Sequence, residues 1–153
     1  KNKISYKNKA KYKGALWQSK YKSRNSNDVR PDYIGTLKLN GLEKKIIGYI
    51  TANQDLKKNI KLPILTIVIS DKDKSFTSGY FNPKDNTDSY YKALNKGALW
   101  KNKYKKNNKH PDLTGIFIID GKSHNLAAWK TSSKARQQNS KLPILNITMI
   151  EKD

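Results

Sequence analysis

The chain repeats its own sequence. The residues Gly-Ala-Leu-Trp at 14–17 return 83 residues later at 97–100. The pair Pro-Asp at 31–32 returns 80 residues later at 111–112, and this second offset holds without a gap to the end of the chain. A gapless match of this length, with its glycines in register, predicts a folding unit that is present twice by internal duplication.

The repeat divides the chain into four expected segments. Residues 1–13 carry six lysines and no acidic residue, which predicts a basic arm with too few apolar side chains to form a core. Residues 14–73 and 97–153 are the two repeats. Residues 74–96 form a linker whose Phe and Tyr side chains predict packing against the repeats, with one helical turn near its end. Units of about 60 residues are close to the lower limit of independent stability, so each is expected to pack on its twin or a partner.

Each repeat has the pattern of four strands joined by polar loops. Asn40-Gly41 and Asp120-Gly121 predict two-residue hairpin turns, because a type I′ turn needs positive φ at both central positions. The loops at 51–59 and 131–139 are polar and rich in Lys, Asn and Gln. The predicted strands, in chain order, are 15–22, 33–39, 45–50 and 62–70 in the first repeat and 98–105, 113–119, 125–130 and 142–150 in the second.

Alternating side chains predict which strand faces are buried. Along the second strand of each repeat, the face expected to form the core carries Tyr33/Leu113, Gly35/Gly115, Leu37/Phe117 and Leu39/Ile119. Small antiparallel meanders of this kind remove their open edges either by closing into a barrel or by packing two units face to face, and a small barrel is the simplest class for this size. The predicted fold class is therefore all-β, with two tandem small antiparallel β-barrels that resemble the oligonucleotide-binding fold.

Composition excludes several classes of function. The chain has no cysteine, no phosphate-binding loop, no zinc-ligand spacing and no apolar run long enough to span a membrane, and we expect no signal peptide, cofactor or metal. His110 and His124 are not matched between the repeats, so a catalytic role is not expected. The net charge of +20 instead favours a polyanionic partner.

Aromatic residues interleaved with lysines predict how such a partner would be bound. Proteins hold single-stranded nucleic acid with a basic groove for phosphates and aromatic rings that stack on bases. Trp17 and Trp100 suit either stacking or the core of a small unit, whereas lysines flank Tyr21 and Tyr104 and favour solvent-facing rings. The candidate binding residues are Lys20, Tyr21, Lys22, Lys38, Tyr49, Lys101, Lys103, Tyr104, Lys105, Trp129 and Lys130.

The second repeat carries a more general pattern. Gly-Ala-Leu-Trp at 97–100 is followed by Pro-Asp at 111–112, Asp-Gly at 120–121 and Ala-Ala-Trp at 127–129. This pattern resembles a group of small bacterial and phage-encoded proteins, some of which are called single-stranded DNA-binding. The first repeat departs from it at a longer loop and at Tyr49, where the pattern has Trp.

The expected function is binding of single-stranded nucleic acid without strong sequence preference. DNA is the favoured ligand, and the sequence leaves RNA open. We expect such a protein to act as an accessory to replication or recombination, encoded by a phage or another mobile element and acting in the host cytoplasm. The alternative is a structural or assembly protein of a virion, whose basic β domains contact other proteins or themselves. Buried rings at Trp17 and Trp100 would favour that alternative. Inhibition of a host nuclease or polymerase is a third possibility that the sequence leaves open.

Overall fold

The eight strands form one closed antiparallel barrel in which each strand pairs with its neighbours in chain order. A computed structural model describes residues 12–20, 30–69 and 95–151. Within these residues, a short helix precedes the last strand of each half: α1 (Asn53–Lys58) in the first half and α2 (Ser133–Gln138) in the second. The strands are β1 (Tyr12–Gln18), β2 (Tyr33–Leu39), β3 (Leu42–Ile50), β4 (Leu65–Ile69), β5 (Lys96–Lys101), β6 (Leu113–Ile119), β7 (Lys122–Lys130) and β8 (Leu145–Glu151).

The prediction of all-β structure is confirmed, but the prediction of two barrels is wrong. Strand β1 pairs with β8, and β4 pairs with β5, so the two repeats share a single barrel. A four-stranded meander alone leaves two edges of unpaired backbone groups, and pairing the halves at these two seams satisfies both. The result is an eight-stranded barrel in sequential order and not the five-stranded Greek-key barrel of the oligonucleotide-binding fold.

The interior is filled by side chains from all eight strands, as expected for a barrel of this size. Strand β2 alternates as predicted: Leu37 is buried in the core and Leu39 packs against it, while Lys38 is exposed. The equivalent face of β6 places Phe117, the largest fully buried side chain, near the centre. The predicted core face of the second strand is therefore confirmed in both halves.

Both predicted hairpin turns are present, since Asn40-Gly41 and Asp120-Gly121 all have positive φ. A second pair of glycines is required for a different reason. A Cβ on Gly35 would lie 1.9 Å from the carbonyl oxygen of Ala15, and one on Gly115 would lie 1.8 Å from that of Ala98. Only glycine permits this approach between neighbouring strands.

Some predicted element boundaries were wrong. The first strand of each half starts and ends earlier than expected, at 12–18 and 96–101. The predicted loops at 51–59 and 131–139 contain the helices α1 and α2, and Ser132 caps α2 by accepting a hydrogen bond from the backbone N–H of Ala135. Most of the predicted arm and linker lies outside the described residues.

The barrel has two different ends. The hairpin end carries the Asn40-Gly41 and Asp120-Gly121 turns. The helix end carries α1, α2 and the segments that connect β1 to β2 and β5 to β6. Most of the candidate binding residues lie at the helix end.

We predict that Gly115→Ala lowers the free energy of unfolding of the barrel by about 3 kcal/mol or more, which is the upper end of the usual cost of overpacking. The cost is high because the new methyl group would collide with the backbone of Ala98, which cannot move as a side chain can. Gly48→Ala is the matched control. Its Cβ would make only ordinary contacts at 3.4 Å and beyond, and the equivalent position of the second half is Ala128. Urea unfolding should show a large loss for the first variant and a change within about 1 kcal/mol for the second. Equal losses would contradict the close approach at Gly115.

Candidate nucleic-acid interface

The fold brings most of the predicted binding residues to the helix end. Lys38 is an exception, because it lies at the hairpin end opposite Lys13 and Glu43. Tyr21 and Lys22 lie outside the described residues. The predicted residues found at the helix end are Lys20, Tyr49, Lys101, Lys103, Tyr104, Lys105, Trp129 and Lys130.

Trp17 and Trp100 lie on the outer face of the barrel, outside the main interior core, and Trp100 packs there against the small buried cluster of Ala98 and Ile118. Their neighbours Leu16 and Leu99 point inward and are fully buried, whereas Trp17 is 36% exposed. Each indole N–H donates to a backbone carbonyl of the other half: Trp17 to Lys141 at 2.9 Å and Trp100 to Lys61 at 3.0 Å. These bonds hold the ring edges in place across the seams.

Trp129 and Tyr49 occupy equivalent outer positions near the helix end. The indole N–H of Trp129 donates to the carbonyl of Lys109 at 3.0 Å. Tyr49 is half-buried, and burial raises the pKa of its phenol, with a further contribution from the negative charge of Asp32. The phenol therefore remains neutral at physiological pH and can donate a hydrogen bond.

A surface groove runs beside Trp100, and we call it the Trp100 groove. One wall is the segment between α1 and β4, the other is the end of β5 with the turn after it, and the outer faces of β6 and β7 form the floor. Its volume is about 1030 Å³. Tyr104 is 83% exposed and Ile60 is 86% exposed. The side chains that give the groove its aromatic, apolar and basic character are Ile60, Lys61, Trp100, Lys101, Lys103 and Tyr104.

The exposure of Tyr104 has a local cause that differs from the predicted strand. Asn102 ends β5 because its side-chain oxygen accepts the backbone N–H of Tyr104 at 3.0 Å, which forms an Asx turn. The amide nitrogen of Asn102 also donates to the carbonyl of Pro111 at 2.8 Å. Tyr104 therefore does not share a strand face with Trp100, but the turn still places both rings in one groove.

Lys105 is engaged within the protein and is a poorer phosphate ligand than predicted. Its ammonium group forms an ion pair with one carboxylate oxygen of Asp112. The other oxygen accepts the backbone N–H of Lys130 at 2.7 Å. Asp32 accepts the N–H of Ile50 in the same way at 2.7 Å, so this pair of aspartates fastens strand ends in both halves.

The helix end is strongly basic. Its described connecting segments, at 19–20, 30–32, 51–64, 102–112 and 131–144, contain three acidic residues, Asp32, Asp55 and Asp112. Three carboxylates offset only part of the positive charge of the basic residues in the same segments. The basic residues are Lys20, Arg30, Lys57, Lys58, Lys61, Lys103, Lys105, Lys106, Lys109, Lys134, Arg136 and Lys141.

The sequence analysis missed the contribution of the segment between α1 and β4 to this site. Lys61 is the hydrogen-bond partner of Trp100 and lines the groove, yet it is 39 residues away along the chain. The available signal was the repeated Lys-Leu-Pro-Ile-Leu at 61–65 and 141–145, which marks a segment needed in both halves.

Comparison with known proteins identified no relative: no family model, no curated protein and no solved structure matched the chain. Within residues 12–20, 30–69 and 95–151, no cluster of three or more His, Asp or Glu side chains is placed to hold a metal ion. No helix in that part of the chain has the length and apolar character needed to cross a membrane.

The environment of Asp112 predicts a specific loss of stability in acid. Burial alone would raise its pKa, but hydrogen bonds from Lys105 and from the backbone of Lys130, together with their charges, lower it below the ordinary 3.8. The folded state therefore favours the carboxylate. Its contribution is present above the ordinary pKa and is lost as the pH falls through the lowered value.

We predict that Asp112→Asn lowers the thermal midpoint at pH 7 and that its difference from the wild type shrinks as the pH falls below 3.8 and the wild-type carboxylate becomes protonated too. Asp120→Asn is the matched control, because it introduces the Asn found at the equivalent position 40 and should change the midpoint little at pH 7. A deficit of Asp112→Asn that is the same at pH 7 and pH 2 would contradict a charge-dependent role.

Proposed function

We propose that the protein binds single-stranded nucleic acid without strong sequence preference, and that the Trp100 groove is its main contact surface. The observation that carries the proposal is the exposed ring of Tyr104, which lies beside Lys103 in a groove that also contains Trp100 and Lys61. A large apolar ring held in water next to lysines has little structural purpose, but it suits stacking on a base.

Each component of the groove has a defined role in this proposal. Tyr104 stacks on a base, and the partly exposed face of Trp100 supports a neighbouring base or sugar. Lys61, Lys101 and Lys103 contact phosphates. Stacking contributes about 1 to 3 kcal/mol per base and tolerates any sequence, which accounts for the expected lack of sequence preference.

Trp17 supports a second, weaker contact on the first half. Its indole is fixed to Lys141 in the way that Trp100 is fixed to Lys61. The surface beside it contains Lys44 and Lys45, but also the acidic Glu43. A nucleic-acid strand that reaches this surface therefore meets a less favourable electrostatic potential than in the Trp100 groove.

Both histidines have structural partners, which supports a binding protein over an enzyme. His124 is 4% exposed, and its Nδ1 lies 3.3 Å from the carbonyl of Phe117 and 3.1 Å from that of Lys122, so this nitrogen carries the proton. The Nδ1 of His110 accepts the backbone N–H of Lys106 at 3.2 Å.

The proposal extends to origin and context. The gapless repeat and the same order of strands and helix in each half support descent from a duplicated four-stranded unit. Such a protein would serve as an accessory to replication or recombination of DNA, encoded by a phage and acting in the host cytoplasm. The partial exposure of Trp17 favours this function over a virion component that buries both indoles.

We predict that binding to a single-stranded oligonucleotide weakens with salt. Release of counterions contributes a slope of about −0.7 in log K against log salt for each phosphate neutralised, so three groove lysines contribute about −2. Lys103→Gln should reduce the magnitude of the slope by about 0.7, whereas Lys38→Gln at the hairpin end should change it little. Fluorescence anisotropy across 50 to 300 mM salt tests this prediction, and affinity independent of salt would contradict the proposal.

We predict that Tyr104→Ala weakens oligonucleotide binding by about 1 to 3 kcal/mol and leaves the thermal midpoint nearly unchanged, because the ring stacks on a base and packs on little else. Leu42→Ala is the control, since Leu42 is 64% exposed but lies at the hairpin end. It should affect neither binding nor stability. A large fall in stability of the Tyr104 variant with unchanged affinity would show that the ring is structural.

A further inference from the structure

The helix end also contains a second cavity at the rim of the barrel, which we call the barrel mouth. It has a volume of about 820 Å³ and lies where β2, β4, β6 and β8 begin and β3 and β7 end. This volume is in the range of small-molecule sites in proteins. The barrel mouth shares only Ile64 with the lining of the Trp100 groove, so the two are separate surfaces.

The wall of the barrel mouth combines two kinds of chemistry. One part is apolar and aromatic, with Tyr33, Ile50 and Trp129. The other part offers hydrogen-bond donors from Thr131 and Arg136. A ligand that fills this cavity therefore needs both a flat apolar group and an acceptor-rich polar group.

Two of the donors have unmet hydrogen-bonding capacity. Nε of Arg136 and Oγ1 of Thr131 are buried, and neither has a hydrogen-bond partner within the described part of the chain. In the other half, the equivalent hydroxyl of Thr51 donates to the carbonyl of Pro63. A buried donor without a partner destabilises the structure, more so when the group is charged, so an acceptor supplied by a ligand is favoured.

The barrel mouth is electrically asymmetric. Arg136 stands where the first half has Leu56, and Lys130 stands where it has Ile50. The one acidic residue that lines the cavity, Asp112, is already bound by Lys105 and by the backbone of Lys130. The cavity therefore retains a net positive charge.

Tyr33 lies close enough to Arg136 to sense its charge. Burial raises the pKa of the Tyr33 phenol, the carboxylate of Asp32 adds to this effect, and the positive charge of Arg136 opposes it. The phenol remains protonated at neutral pH. Its ring and the guanidinium group thus face the same small volume.

We propose that the barrel mouth binds a single nucleotide, with its phosphate on Arg136 and Thr131 and its base against Tyr33 and Trp129. Guanidinium and hydroxyl donors match a phosphate, and the aromatic wall matches the base. The nucleotide has two possible sources, a free mononucleotide or the 5′-phosphorylated end of a strand. The second source rests on the proposed function, and the first does not.

The test measures binding of deoxyadenosine 5′-monophosphate and of deoxyadenosine to the full chain by titration calorimetry. The wild type should bind the nucleotide saturably and the nucleoside at least tenfold more weakly. Arg136→Leu, which introduces the residue found at position 56, should weaken nucleotide binding at least tenfold. Lys134→Gln is the matched control, because it removes one charge from the same helix and introduces the residue found at position 54. It should change the affinity less than twofold.

Two further measurements separate the barrel mouth from the Trp100 groove and a free nucleotide from a strand end. Tyr104→Ala should leave mononucleotide binding unchanged, since that ring lies in the Trp100 groove. A 5′-phosphorylated oligonucleotide that binds the wild type more tightly than its unphosphorylated form, but binds Arg136→Leu equally well in both forms, identifies a strand end as the source. If neither form binds while the mononucleotide does, the proposed function fails and the mouth proposal stands.

The proposal is overturned if the wild type binds neither the mononucleotide nor the phosphorylated end, a result that does not depend on how any variant folds. Equal affinity for nucleotide and nucleoside also overturns it, because the phosphate would then make no contact. Thermal midpoints of both variants show whether Arg136→Leu is folded. If it is not, Arg136→Lys replaces it and should weaken nucleotide binding by a smaller factor while retaining the charge.

Discussion

The pairing of β1 with β8 and of β4 with β5 is the constraint on which the rest of the structure depends. Each half alone is a meander with two open edges, and these two seams convert both halves into one barrel. Two equivalent backbone hydrogen bonds extend the seams beyond the strands. The N–H of Ile64 donates to the carbonyl of Leu99, and the N–H of Ile144 donates to the carbonyl of Leu16. Because every strand then has two partners, the short repeats do not need to be stable as separate domains.

The seams also create the candidate site. They place the segment after the helix of one half beside the first strand of the other, so the Trp100 groove has walls from both halves. The indole of Trp100 donates across this boundary to Lys61 and fixes the ring edge, which leaves part of its face at the surface. The site and the closure of the barrel therefore have the same origin, and a separated half would lose both.

Local features of the fold could be predicted from the sequence, and long-range ones could not. Turn chemistry specified Asn40-Gly41 and Asp120-Gly121, and alternation specified the inward face of β2 and β6. Closure into one barrel depends on pairing between strands as far apart in the chain as β1 and β8. A repeated sequence does not determine this pairing, because the same repeat is compatible with two separate barrels or with one shared barrel. The end of β5 was misplaced because the side chain of Asn102 overrides the strand pattern. The Trp100 groove was predicted in part, through Lys101, Lys103 and Tyr104, while Lys61 required the topology.

A comparison of the halves separates structural positions from candidate binding positions. Identical residues in both halves have matching structural contacts: Gly35 and Gly115 allow close strand approach, and Asp32 and Asp112 accept the backbone N–H of the last residue of the third strand of their half. Chemically different residues occur at both ends of the barrel. At the hairpin end Ile118 and Lys122 stand where the first half has Lys38 and Leu42, and at the helix end Arg136 and Lys130 stand where it has Leu56 and Ile50. The last two line the barrel mouth, so the residues that the halves share maintain the barrel, while these two replacements give the mouth a positive charge that the matching residues of the first half do not supply.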